Sequence, residues 1–297
     1  MLTAIIETAI STPREPVTTP SPTLTIPPDR DIGRIMREVA EREILPRFRN
    51  LATHEVQSKS HPNDLVTAAD IAAERVLTEA LPALLPDSRV IGEEAADANP
   101  GVLEWLAGAA PVWLVDPVDG TVNFANGRES FAIIIALCVA GTTVAGWIYD
   151  PVNENLVRAR RGEGAFFEDK GGAEQRLQIT AGSDLAAMRG SMTHRAAKVL
   201  RTNAARLSFS FPRHIGRLGC TGLEYANLAR GSLDFALYTR LKPWDHAAGV
   251  LIHKEAGGCG GIRPGALPYR PGPVIAEETL LLAPSEATWR LLDSLLG

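Results

Sequence analysis

From Asp29 onward, apolar residues recur at helical spacing: Ile32, Ile35, Met36, Val39 and Ala40, with Asp29 or Asp31 as the expected cap. The same period returns over 67–84, where Ile71, Val76, Leu77, Ala80, Leu81 and Leu84 form the apolar stripe. Short apolar runs at 89–91 and 112–115 read as strands that end in acidic clusters. The pattern then becomes strand-like over 131–139, 143–149, 156–160 and 165–167. Gly141, Pro151-Val152-Asn153 and Gly162/Gly164 punctuate these runs, which predicts an antiparallel meander. Beyond it the reading alternates between strands at 177–180, 233–238 and 280–283 and helices at 194–206, 221–230 and 245–255. Gly231 and Gly257-Gly258 stop two of those helices, and Ser285 caps a last one that ends near Leu296. Long blocks of helix and sheet interleaved in this way predict stacked α and β layers rather than a barrel or a sandwich. There is no internal repeat, and no glycine-rich stretch fits a P-loop or a dinucleotide fingerprint.

Residues 11–28 break the pattern: six prolines mixed with Ser and Thr suit neither a paired backbone nor a buried face. Residues 1–28 are therefore expected to be a disordered extension, with one catalytic domain over 29–297. The chain has 297 residues, 35 acids against 30 bases and a net charge of −5, which argues against a broad basic footprint for nucleic acid. Three scattered cysteines, Cys138, Cys220 and Cys259, offer neither a disulfide framework nor a CxxC zinc site, and point to a reduced, cytoplasmic setting. The longest apolar run, 131–140, is about half of the ~20 residues a spanning helix needs, so no membrane association is expected. No signal peptide is expected either, because Glu7 interrupts the mildly apolar residues 2–10 and no basic segment precedes them.

Carboxylates at strand and helix ends carry the chemistry. Glu93 and Glu94 follow Val90-Ile91-Gly92, and Asp116 follows Trp113-Leu114-Val115, with Asp119 three residues later. Pro117 stiffens the turn between them, and Gly120 lets the backbone approach a ligand. Asp245 opens a helix after Lys242-Pro243-Trp244. Acids gathered at one point repel each other, and a hard divalent cation with oxygen ligands relieves that repulsion; Mg²⁺ suits a few carboxylates plus waters and phosphate oxygens. Taken singly, Asp245 also reads as an N-cap, and Thr67 with Asp70 as a capping box. His246 and His253 are not in HExxH spacing and read as packing or surface residues.

These words resemble the signature of the inositol monophosphatase family. The stretch Trp113-Leu114-Val115-Asp116-Pro117-Val118-Asp119-Gly120-Thr121-Val122-Asn123-Phe124 is similar to its first motif, and Trp244-Asp245-His246-Ala247-Ala248-Gly249 with Glu255-Ala256-Gly257-Gly258 to its second. Ile91-Gly92-Glu93-Glu94 and the block from Lys59 to Asp70 resemble two more. The resemblance implies an α+β fold of stacked αβαβα layers and a Mg²⁺-dependent, lithium-sensitive phosphomonoesterase, with two or three metal ions and Mn²⁺ as an alternative. It assigns Glu93, Asp116 and the Val118 carbonyl to a first metal, and Asp116, Asp119 and Asp245 to a second. A third, weaker ion would sit near Glu93. Thr121, supported by Asp70, would hold the attacking water, and the Gly120 and Thr121 amides would hold the phosphate. The segment Gly219-Cys220-Thr221, with Asp119 and Asp245, would meet the substrate alcohol. Glu94 would stand behind the metals, and Lys59 would lie on a mobile loop close to them. A homodimer is also implied.

The chain departs from the pattern at Tyr238, where many inositol-specific members carry a glutamate that accepts from ring hydroxyls. A neutral tyrosine, with Arg240 and Lys242 close by, leaves inositol 1-phosphate competing with histidinol phosphate, fructose 1,6-bisphosphate and 3′-phosphonucleotides as substrate. A regulatory, macromolecule-binding protein on a phosphatase fold is the reading from another class.

Overall fold

A computed structural model describes residues 24–59, 65–180, 184–275 and 277–297. Helix α1 (Asp29–Val39) is followed by a hairpin of β1 (Val56–Ser58) and β2 (Leu65–Thr67), then by helix α2 (Ala68–Leu84). Next come β3 (Arg89–Gly92), α3 (Glu93–Ala98), β4 (Val112–Asp119) and the short α4 (Thr121–Ala125). The meander is β5 (Ala132–Val139), β6 (Thr142–Asp150), β7 (Asn155–Arg160), β8 (Gly164–Glu168) and β9 (Glu174–Leu177). The second half contains β10 (Arg189–Ser191), α5 (His194–Arg206), β11 (His214–Gly216), α6 (Thr221–Ala229) and β12 (Phe235–Tyr238). It closes with α7 (Pro243–Glu255), β13 (Cys259–Arg263), β14 (Thr279–Ala283) and α8 (Glu286–Leu296).

Strands β3 to β9 form one sheet in sequence order, parallel only at β3/β4. The second sheet has the order β11-β10-β12-β14-β13. Side-chain alternation sorts the core into three layers of contact. Trp113, Val115, Ile133, Ile135 and Leu137 pack on α1 and α2. Their neighbours Leu114, Ile134, Ala136 and Cys138 face the other way, onto α6 and α7, which also meet Ala236, Leu280 and Leu282 of the second sheet. Phe235, Leu237, Leu281 and Ala283 then pack on α5 and α8. The order helix, sheet, helix, sheet, helix is the expected αβαβα stack. Among the described residues no helix is long and apolar enough to cross a membrane.

Several expectations need correction. Residues 24–28 do not belong to a loose extension: Leu24 and Ile26 pack on the α1/α2 core, and the Pro27 carbonyl accepts from Arg160 at 2.5 Å. Residues 1–23 lie outside the described residues, as do Ser60 to Asp64 of the Lys59–Asp70 motif. Pro28 rather than an aspartate precedes α1. Asp29 instead accepts from Trp147 at 3.0 Å and forms ion pairs with Arg158 and Arg160, tying the helix to the meander. The strand expected at 177–180 lies at Glu174–Leu177, on the edge of the sheet, where three polar residues serve because their side chains meet solvent. Both β10 and β11 have only three residues, and β13 carries two glycines; none shows an alternating pattern.

Candidate active site

One irregularity in β4 builds the floor of the site. Asp116 pairs with Ile134 and Asp119 with Ala132, so β4 spends three steps where β5 spends two. In a regular strand, residues three apart point to opposite faces. The extra residue of this bulge reverses the alternation. Val118 accordingly joins the α1/α2 core, while Ala132, opposite Asp119, joins the α6/α7 core. Both aspartates thus face the middle helical layer.

The other acids arrive on helix starts. Glu93 is the first residue of α3, and the absence of a Cβ at Gly92 before it leaves room for the Glu74 carboxyl, whose carbon would lie 2.1 Å from such a Cβ. Glu74, from α2, accepts from the Glu94 and Ala95 amides at 2.9 Å each and so caps α3 from outside. Helix α7 begins at Pro243, so Asp245 is in its first turn and Lys242 takes the capping position; Asp245 is no N-cap. Carboxylate oxygens of Glu93, Asp116 and Asp245 lie within 4.8 Å of one another. Burial, then the charges of Glu93, Asp119 and Asp245, push the Asp116 carboxyl well above its ordinary range. Burial, Glu93 and Asp119 do the same to Asp245. Three hard, anionic oxygens held together against their own repulsion fit a divalent cation.

Asp119 stands beside this trio but is partly committed elsewhere. Its Oδ2 accepts from the Cys220 thiol at 3.0 Å and the Gly222 amide at 2.6 Å, at the start of α6. Cys220 is buried and keeps its proton, because burial and Asp119 push its thiol well up. Its thiol therefore serves Asp119, and Gly219 and Thr221 are the members of that segment that line the cavity.

Thr121 donates towards Asp70 Oδ1 at 3.1 Å or the Val118 carbonyl at 3.0 Å. Asp70 Oδ2 accepts from the Thr67 amide at 2.9 Å and its hydroxyl at 2.5 Å, so the capping box and the contact with Thr121 coexist. Burial raises Asp70 to about 6 despite these donors. Gly120 has φ 89°, and a Cβ there would lie 2.8 Å from the Ser130 carbonyl. Only glycine lets the chain leave β4 so sharply into α4.

Two lysines neutralise the rim. Lys242 Nζ lies 2.7 Å from Glu93 Oε1. Lys59 Nζ lies 3.2 Å from the same oxygen, 2.7 Å from Glu94 and 2.8 Å from Asp97. Glu94 is raised to about 7, mainly by burial. The cavity above these groups holds about 410 Å³. Tyr238 forms part of its wall, stacked on Tyr225 with centroids 5.4 Å apart. Its hydroxyl is buried on the side of Glu224, away from the cavity, so the cavity meets its ring. His246 is buried, as expected of a packing residue. Since a carbonyl can only accept, its Nε2–H donates to Arg240 O at 3.0 Å, and Tyr225 donates to Nδ1 at 2.9 Å. His253 is buried too, which excludes the surface half of its reading.

Against known proteins, the inositol monophosphatase family profile matches residues 33–291. The chain belongs to the inositol monophosphatase family. It is 37% identical over 227 residues to the inositol-1-monophosphatase of Mycobacterium leprae, covering 74% of each chain. It is 31% identical over 206 residues to the fructose-1,6-bisphosphatase/inositol-1-monophosphatase of Thermotoga maritima, covering 68% of this chain and 73% of that one. Among solved structures, the IMPase of Thermotoga maritima superposes with a TM-score of 0.73 at 25% identity, over 90% of this chain and 96% of the other. The inositol monophosphatase-family chain is a metal-dependent phosphoric monoester hydrolase. The sequence motifs named every acid of the floor. Glu74 was missed, and its one signal is a position four residues after Asp70 on the same helix.

Proposed function

We propose that the chain hydrolyses small phosphate monoesters of polyols or sugars, with Mg²⁺ as the working cation. Glu93, Asp116 and Asp245 would hold it, with the Val118 carbonyl and the free oxygen of Asp119 as further ligands. The convergence of three carboxylate oxygens within 4.8 Å carries this reading. A bound cation would neutralise the phosphate dianion and lower the pKa of a water, so that it gives up a proton more easily and becomes a better nucleophile towards phosphorus. The protein's own part is positioning. Thr121 has one hydroxyl proton; giving it to Asp70 leaves its lone pairs to accept from a water and aim it. The backbone after the Gly120 turn orients the phosphate, and in-line attack then needs no covalent intermediate. Li⁺ inhibition, a homodimeric state and a cytoplasmic location belong to the same reading; light scattering would test the second.

Turnover of p-nitrophenyl phosphate with Mg²⁺, abolished by EDTA and restored by excess Mg²⁺, is the expected result. Absence of EDTA-sensitive turnover would remove the reading.

A further inference from the structure

The cavity has two sides of different character. Its floor is acidic, and the lysines nearest that floor are already matched: Lys59 and Lys242 both pair with Glu93. Its outer wall carries Arg217 and Arg240. Both are exposed, and neither makes an ion pair among the described residues. An unmatched guanidinium in a cavity wall presents a planar fork of donors suited to phosphate or carboxylate.

The backbone under each arginine is pinned. The Arg240 carbonyl is held by His246, which is itself held by Tyr225. Next to Arg217, the Leu218 amide donates to Glu224 at 2.8 Å, and the Leu218 carbonyl accepts from Asn123 at 2.9 Å. Such anchoring lowers the entropy that a bound ligand would have to remove. The surrounding charge acts in the same sense. Between Asp184 and Glu224 the chain carries six arginines and one lysine; Glu224, buried behind the wall and bonded to the Leu218 amide, is the acid that feels the Arg217 charge. Arg217 also lines a neighbouring cavity with Arg201 and Arg213, so the positive wall continues outward from the site. Between floor and wall stands the Tyr238 ring, with its hydroxyl withdrawn. An uncharged wall residue there places no repulsive carboxylate beside an anion.

We infer that the alcohol half of the substrate carries a second anionic group, phosphate or carboxylate, seated between Arg217 and Arg240 while the scissile phosphate lies on the carboxylate floor. This rests on the phosphatase reading and narrows it from monoesters in general to those whose alcohol half carries a further carboxylate or phosphate.

Matched substrate pairs test it. Fructose 1-phosphate against fructose 1,6-bisphosphate adds a phosphate; glycerol 2-phosphate against 2-phosphoglycerate adds a carboxylate. The expected result is a preference of about tenfold or more in kcat/KM for the more anionic member of at least one pair, expressed mainly in KM and weakening with added salt. Whichever pair shows it names the anion. The double variant Arg217→Gln/Arg240→Gln should bring that ratio close to one, whereas Lys198→Gln, a charge change that lines neither cavity, should leave it. Circular dichroism and thermal melting check that the double variant is folded; an unfolded one is replaced by the two single variants, each expected to lower the ratio. No preference in the wild type for either pair, or a preference that survives loss of both arginines, overturns the inference while leaving the phosphatase reading standing. No Mg²⁺-dependent turnover of any ester, p-nitrophenyl phosphate included, overturns both.

Discussion

Asp116 and Asp119 stand three residues apart on one strand and still face the same side, because β4 carries one more residue than β5 between their partners Ile134 and Ala132. That bulge keeps both on the face where Asp245 enters from the first turn of α7, with Asp116 within reach of it. Replacing Asp245 with Asn keeps its shape and removes one of three convergent charges. We expect kcat to fall by about two decades or more, as loss of a transition-state charge stabiliser typically does. Asp119→Asn should fall comparably, with a cost in stability as well, since it weakens the acceptor for the Cys220 thiol and the Gly222 amide. Steady-state kinetics over an Mg²⁺ titration, with melting curves alongside, checks both; near-normal activity in both variants would mean that the cation sits elsewhere.

Thr121 and Asp70 form one hydrogen-bonded unit at 3.1 Å. A hydroxyl is what the unit needs, so Thr121→Ser should keep most activity, while the nearly isosteric Thr121→Val should lose about two to four decades of kcat, the span typical of proton-handling groups. Asp70→Asn should lose activity and also stability, because Asp70 closes the capping box with Thr67. Equal activity in the Ser and Val variants would show that the hydroxyl does not touch the water.

The acidic floor was legible because its residues come in fixed words, and the layers were legible because segments of helical period are interleaved with long apolar runs such as those of β4 and β5. What escaped had no periodic signal to give. Strand β10 has three residues, and Gly190 within it is small because a Cβ would lie 2.2 Å from the Phe235 ring. Packing against a neighbour fixes that position, and packing partners are invisible in one chain's pattern. Asp29 looked like a cap and became the anchor for Arg158 and Arg160, residues about 130 positions away. The withdrawn hydroxyl of Tyr238 is equally a product of tertiary contact. It leads to a simple expectation: Tyr238→Phe should leave kcat/KM within about threefold of wild type, since the lost hydroxyl lies towards buried Glu224 and not towards the substrate. A tenfold loss would show that the hydroxyl turns into the cavity during turnover.

Glu74 positions Glu93 without touching the cavity. Its carboxylate satisfies two amides at the start of α3 and adds negative charge where the helix dipole favours it. Glu74→Gln retains one good acceptor. We expect a loss of about 1 kcal/mol in stability and a larger effect on the Mg²⁺ requirement than on kcat at saturating Mg²⁺. Glu74→Ala should show both effects more strongly. An Mg²⁺ activation curve unchanged in Glu74→Ala would mean that α3 keeps its place without the cap.

His253 gives a pH signature. It is buried, its Nε2 has no partner, and burial alone lowers it to about 4 from the usual 6.5. Below pH 6.5 the unfolded chain protonates this histidine while the folded chain does not, so the unfolded state binds more protons and stability falls as pH falls. The loss runs from about pH 6.5 down to about pH 4, at about 1.4 kcal/mol per pH unit, and stops once the folded form protonates as well. Raised carboxyls such as Asp70 and Glu94 act in the opposite sense: the folded protein takes up their protons first, and acidification favours it. They are common to wild type and variant, so the difference between the two isolates His253. The variant His253→Gln should be less stable at pH 7.5, where an imidazole-shaped space is filled less well. Its stability should fall less steeply than that of the wild type between pH 6.5 and 4.5, so that the two curves converge on acidification. Urea melts at half-unit pH steps measure this directly, and parallel curves would show that His253 titrates with its ordinary pKa in the folded protein.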